Sequence, residues 1–205
     1  MSRNILTGAS VAIMLAMATQ GLAQQVASSS PASVKPGTYK VEPYHTQVTF
    51  TLSHFGFSNF SGFFSGASGS LQLDPAHLAA TKLDVSIPVE TVTTTVAKLD
   101  GELKGDQWFE TARFPTARFV STKVTPTGAG RAAIAGDLTL HGVTRPVMLQ
   151  ARFVGAGVNP LDKNETVGFS ATGTIKRSDF GVKQYVPLVG DDVQLSIAGA
   201  FTRAS

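Results

Sequence analysis

From Tyr39 to Phe201 apolar and polar residues alternate with a period of two. Val48, Phe50 and Leu52 alternate with Gln47, Thr49, Thr51 and Ser53, and Leu71 and Leu73 with Gln72 and Asp74. Leu83, Val85, Ile87 and Val89 do the same against Lys82, Asp84 and Ser86. The pattern returns in Val147, Leu149, Ala151 and Phe153, in Val167, Phe169, Ala171 and Ile175, and in Val193, Leu195, Ile197 and Phe201. Successive strand side chains point to opposite faces, so each run predicts an antiparallel strand with one buried face. Two segments break the rhythm. Val96, Leu99 and Leu103, spaced by three and four, predict a helix of about two or three turns within 92–109, capped by a Thr of Thr93-Thr94-Thr95. Residues 178–190, with Gly181, Pro187 and Gly190, predict an irregular loop with one helical turn. Roughly eight or nine such strands bury their apolar faces either as a two-sheet sandwich or as a closed barrel, and periodicity does not choose between them.

Ahead of the strands, Ile5 to Ala18 is apolar or small apart from Thr7 and Ser10, and Arg3 precedes it. Gly21-Leu22-Ala23 then places small residues where a signal peptidase reads. The pattern predicts a secretory signal peptide over 1–23, cleaved after Ala23. Its apolar run falls short of the roughly 20 residues a spanning helix needs, so an integral membrane protein is not expected. Residues 24–37, rich in Ser, Ala and Pro, read as a mobile leader, and 38–205 as a single domain.

Composition narrows the chemistry. The chain has no cysteine, which excludes thiol catalysis, thiolate metal sites and disulfides. Its formal charge of +3 comes from scattered Lys and Arg with no basic run, so no nucleic-acid partner is expected. The four His residues, His45, His54, His77 and His141, show no metal-ligand spacing. No nucleophile motif is present either, and the kinase-like triplet Asp179-Phe180-Gly181 lacks every partner it would need. Asp191 and Asp192 are adjacent on a strand and therefore face opposite ways. Neither a catalytic nor a metal site is expected, and no obligatory cofactor. Phe55, Phe57, Phe60, Phe63 and Phe64 crowd ten residues together with Gly56 and Gly62. They read equally as core packing or as the lining of an apolar pocket.

Several blocks together resemble one family. Tyr39-Lys40-Val41-Glu42-Pro43 with His45, then His54-Phe55-Gly56-Phe57 and Phe63-Phe64-Ser65-Gly66, resemble the opening of the YceI-like family of bacterial periplasmic proteins. Leu99-Asp100-Gly101-Glu102-Leu103, Trp108-Phe109, Phe114-Pro115-Thr116-Ala117 and the run from Gly136 through His141-Gly142 to Val147 continue the match. Gly168-Phe169-Ser170-Ala171 and Ile175 to Gly181 complete it in the family's order. Glu42 stands where relatives often have Asp, and the run Thr93 to Lys98 is plainer than theirs.

The resemblance implies an all-β fold, an extended lipocalin-like antiparallel barrel of about eight strands with a short helix near one end. It implies a periplasmic protein that holds a polyisoprenoid, an isoprenoid quinone or a similar amphiphile, and it leaves a homodimer open. It also turns the Phe cluster into expected pocket lining. Together with the strand phases, the expected lining is Phe50, Leu52, His54, Phe55, Phe57, Phe60, Phe63, Leu99, Leu103, Trp108, Phe109, Leu138, Leu140, Phe169 and Phe180. Phase and loop position nominate His54, Arg177, Asp179 and Tyr185 for the ligand head. Two rivals stand beside this reading. One is an enzyme for a small amphiphile with His54 or His141 as general base; the other is an exported structural or stress-related domain whose core is simply packed.

Overall fold

The computed structural model describes residues 26–204; the signal peptide expected over 1–23 lies outside the described residues. Ten strands are present: β1 Gly37–Val41, β2 Gln47–His54, β3 Ser58–Phe64, β4 Ser68–Leu73, β5 Lys82–Pro88, β6 Thr116–Gly128, β7 Arg131–Leu140, β8 Val143–Val158, β9 Glu165–Lys176 and β10 Asp192–Arg203. Among the described residues there is one α-helix, α1 Ala97–Lys104, between β5 and β6.

All neighbours are antiparallel. β10 pairs with β2 along Gln194–Ala198 and with β1 along Phe201–Arg203. β3 pairs with β2 and β4 with β1, so four short strands make two broken staves. With β5 to β10 they close a ring of eight staves through the β1–β10 pairing. Closure removes the sandwich alternative and leaves only the outer edge of β3 without a partner strand. Where β3 parts from β5, the segment after β5 fills the gap, and Phe63 and Thr93 exchange both backbone hydrogen bonds (2.8 and 3.0 Å).

The ring has two dissimilar ends. At one end, the cap end, lie the β2–β3 hairpin, α1 and its flanking loop, the turn His141-Gly142, and the strap 177–191. At the other lie the β6–β7 turn, the loop 74–81 and the leader. Residues 28–34, expected to be mobile, instead run against β8. Ser28 and Ala156 exchange backbone hydrogen bonds (2.8 and 2.9 Å), Pro31–Ser33 form a 3-10 turn, and Val34 is buried. Their Ser- and Pro-rich composition hides a docking site built on the partner strand. A Cβ at Gly157 would stand 2.8 Å from the carbonyl oxygen of Val26, so glycine in β8 lets the leader lie close.

The same close approach shapes the interior. The ring of Phe50 lies across Gly62 on the facing strand, and that of Phe119 across Gly136; a Cβ at either glycine would stand 2.3 Å from ring carbon. At Gly62 it would also meet the backbone oxygen of Thr93 at 2.9 Å.

Helix α1 starts differently from the Thr cap expected. Val96 occupies the N-cap position and makes no side-chain cap. The Thr94 hydroxyl accepts from the Val96 N–H (3.0 Å) and donates to Asp100 (2.6 Å), which also accepts from the Thr94 N–H (2.7 Å) and the Thr93 hydroxyl (3.1 Å). The helix thus reaches back with its own carboxylate to hold the chain that enters it. The hydrogen bond from the Thr94 hydroxyl, joined by the Thr94 N–H and the Thr93 hydroxyl, holds the Asp100 carboxyl below its usual range.

Three substitutions test these contacts. Gly62→Ala lowers stability by about 1–3 kcal/mol because the new methyl would meet both the Phe50 ring and the Thr93 carbonyl, and the two cannot both yield. Gly101→Ala, in open space on α1, raises it by up to about 1 kcal/mol; equilibrium denaturation of the two variants gives opposite signs. A carboxyl whose folded pKa is depressed stabilises above its unfolded value, about 3.9, and loses that contribution as pH falls through the folded pKa. Wild type and Asp100→Asn therefore differ in Tm at pH 7, and the difference closes as pH falls through the depressed folded pKa of Asp100.

Candidate functional site: an apolar cavity through the barrel

The alternation read along the chain is what makes the cavity. Val48, Phe50 and Leu52 of β2, Leu83, Val85 and Ile87 of β5, Val147, Leu149, Ala151 and Phe153 of β8, and Val193, Leu195 and Ile197 of β10 all line one interior space. It measures about 340 Å³ and touches both buried clusters, one around Tyr39, Leu71 and Phe201 near the leader, the other around Phe50, Leu103 and Ile175 near the cap. Its wall is carbon apart from the Trp108 indole and the side chains of Thr46, Thr81, Arg131 and Arg177. A space so lined gains nothing from water and stays dry or takes up hydrocarbon.

Of the residues expected to line the pocket, Phe50, Leu52, Leu103, Trp108, Phe109, Leu138, Leu140 and Phe169 do so. Leu99 and Phe180 pack in the cluster behind the wall, and Phe60 is half-buried without reaching the cavity. His54, Phe55, Phe57 and Phe63 are corrections: all four are exposed. Across the antiparallel pair, Val48 faces Phe64, Phe50 faces Gly62 and Leu52 faces Phe60. Odd-phased Phe63 must therefore point outward, and Phe64 is the member of the cluster that lines the cavity. Phe55 and Phe57 sit in the turn itself, where positive φ at Phe55 (52°) and Gly56 (71°) reverses the chain beyond the barrel. His54 is in phase but beyond the cavity's end, its ring 4.6 Å from that of Phe55. Phase across the hairpin was the cue that would have found Phe64. Phe119, Ile134 and Phe153 also line the wall; their strand phase marks them equally well.

Of the nominated head-group residues, Asp179 and Tyr185 are exposed, and only Arg177 reaches the cavity. Arg177 is 4% exposed. Its Nε donates to the Gly190 carbonyl (2.9 Å), Nη1 to Val182 (3.0 Å), and Nη2 to Gln184 and Val189 (both 2.8 Å). The guanidinium lies 5.3 Å from the Trp108 ring centroid. Burial pulls its pKa down and nearby Asp191 opposes this, but an arginine stays charged in a protein. Partial burial pushes the Asp191 carboxyl up, and donation from the Ser178 N–H and hydroxyl, with Lys176 and Arg177 close by, carries it below the usual range. Arg177 thus gathers the strap 182–190 by its carbonyls and closes the cap end with a charge sheltered under an indole.

Two hydroxyls line the wall differently. Thr46 exchanges hydrogen bonds with the Ala200 backbone (3.1 and 3.0 Å). The buried Thr81 oxygen has no partner among the described residues, which is costly unless a ligand supplies one. The histidines considered as general bases lie off the cavity wall. His141 is held by its Nδ1 to the Phe180 carbonyl (3.0 Å) and packs on Phe114, with Nε2 3.6 Å from Glu110. Among the described residues no three His, Asp or Glu gather as a metal site, and no helix is long and apolar enough to cross a membrane.

Comparison with known proteins agrees with this architecture. A UPF0312 protein of Pseudomonas savastanoi pv. phaseolicola is 37% identical over 142 residues, 69% of this chain and 73% of its own. The crystal structure of the Campylobacter jejuni YCEI protein superposes with a TM-score of 0.66 at 31% identity, covering 75% of this chain and 90% of that one. A polyisoprenoid binding domain from Saccharophagus degradans, implicated in plant cell wall breakdown, has the same fold at 15% identity and a TM-score of 0.61, over 83% and 100% of the two chains. The YceI-like domain model matches residues 39–201, from the first stave to the last, and the chain belongs to the YceI-like family.

Proposed function

We propose that this chain is an exported carrier that holds one long isoprenoid chain, a polyprenyl lipid or an isoprenoid quinone, inside the barrel in the periplasm. The observation that carries the reading is the continuous carbon-lined space between the two end clusters. The Arg3-led apolar run ending at Gly21-Leu22-Ala23 supports export. The polyisoprenoid binding domain of Saccharophagus degradans supports the ligand class. Removing roughly 400 Å² of a flexible chain from water is worth about 10 kcal/mol, enough to offset much of the cost of ordering it. Such binding reads length rather than detail. The wall offers a head group the unpartnered hydroxyl of Thr81 at the leader end, or, at the cap end, the edge of a guanidinium already committed to four carbonyls. That suits a hydroxyl or a quinone carbonyl, each needing one hydrogen bond, better than a bare phosphate.

Trp108 is the only tryptophan in the chain and lines the cavity, so its emission reports filling directly. Titration with a polyprenol shifts the emission to the blue, and an isoprenoid quinone quenches it; Ala171→Phe, which fills the middle of the space, weakens both at least tenfold while the Tm stays within a few degrees. A titration with no response in the wild type removes the carrier reading. Thr81→Val keeps the shape of the side chain and deletes the orphaned hydroxyl. It stabilises the empty protein by about 1–2 kcal/mol and weakens a hydroxyl- or carbonyl-headed ligand by up to about tenfold, as calorimetry and the same titration measure.

A further inference from the structure

The cap end carries side chains that neither the barrel nor the cavity uses. Phe57 is 91% exposed, Leu188 60%, Tyr185 57% and Phe55 43%. They form one group: the Phe55 N–H donates to the Leu188 carbonyl (2.9 Å), His54 and Val189 form a β-bridge, and the Gly190 N–H donates to Ser53 (2.8 Å). The hairpin tip and the strap are thus fastened side by side.

Two of these aromatics sit where the backbone disfavours them. Phe55 has φ 52° and Tyr185 φ 59°, in the left-handed region where Asn or Gly is at ease and a bulky residue is strained. At position 55 an Asn would suit both the turn and the water around it. Each ring touches one neighbour, Phe55 on His54 and Tyr185 near Trp108, yet both stay exposed on strained backbone, and their placement asks for an occupant outside the chain.

The chemistry of the group selects that occupant. The tip 53–59 and the strap's exposed run 181–190 contain Lys183 and His54 and no carboxylate; of the two carboxylates at the strap's ends, Asp191 is bonded to Ser178 and Asp179 is exposed. Apolar rings at convex tips, a tyrosine beside them and a lysine at the rim are the set that enters a bilayer interface, with rings at the acyl boundary and the ammonium among phosphates. The exposed area of the four side chains is on the order of 500 Å², below the roughly 800 Å² per partner of a stable protein interface. The group also continues into the barrel. The Tyr185 ring lies 6.3 Å from that of Trp108, which lines the cavity beneath Arg177.

We propose that the hairpin tip Phe55-Gly56-Phe57 and the strap residues Tyr185 and Leu188 dock the cap end onto a lipid bilayer, setting the cavity's Trp108 end against the membrane. This rests on the carrier reading for its purpose but not for its test. Phe55→Asn/Phe57→Ser keeps a residue suited to the turn and removes both rings. Sedimentation with vesicles of phosphatidylethanolamine and phosphatidylglycerol pulls down the wild type, and the double variant partitions at least tenfold more weakly. Both proteins respond equally to polyprenol added from ethanol in the Trp108 titration. Equal partition of the two proteins overturns the docking, as does failure of the wild type to sediment. A wild-type dimer that the substitutions split, without vesicle binding, overturns it in favour of a second copy of the chain. Loss of the polyprenol response in the wild type, with vesicle binding intact, defeats the carrier reading and leaves the docking standing.

Discussion

A closed antiparallel ring satisfies nearly all its ladder hydrogen bonds internally, and its inner face is apolar. Everything else in the molecule follows from how that interior is managed. Eight staves enclose a space that side chains can just fill or that can hold one ligand, depending on their size. The chain reduces the space locally by laying Phe50 over Gly62 and Phe119 over Gly136, and leaves the rest open. A packed core would have placed bulk where Ala117, Ala132, Ala151 and Ala171 stand along the wall. Those small side chains make the difference between a core and a container.

The two ends manage the same constraint with different chemistry. At the leader end the chain folds its own N-terminal segment back along β8, with Pro31 and Val34 reaching the cavity. At the cap end a buried guanidinium holds four carbonyls of the strap, a device that tolerates an irregular backbone because one planar donor set satisfies several acceptors at once. The segment after β5 closes the gap beside β3 through Thr93, and Asp100 of α1 ties Thr93 and Thr94 in place. Polar groups thus appear at the rims, where they organise backbone, and almost nowhere between.

The strands were legible because period-two alternation is a direct image of a half-buried sheet. Leu71 and Leu73, Leu83 to Ile87, and Val193 to Ile197 point inward as their phase requires. Closure was not legible from phase, since a sandwich needs the same alternation; the ordered motif blocks supplied it. The density of aromatics in the Phe cluster carries no parity, and parity decides which rings face inward. Register with β2 sends Phe64 inward and Phe63 outward, and the turn carries Phe55 and Phe57 clear of the barrel. The docked leader and the role of Arg177 depend on long-range contacts with Ala156 and with the strap, and such contacts leave no local pattern.

The most direct test is native mass spectrometry of the protein purified from its producing cells without detergent, followed by organic extraction of the same sample. A carrier of the kind described here shows a stoichiometric mass increment of one lipid, and the extract yields a polyprenyl lipid or an isoprenoid quinone. An unladen mass, together with a Trp108 emission that polyprenol does not move, would contradict it.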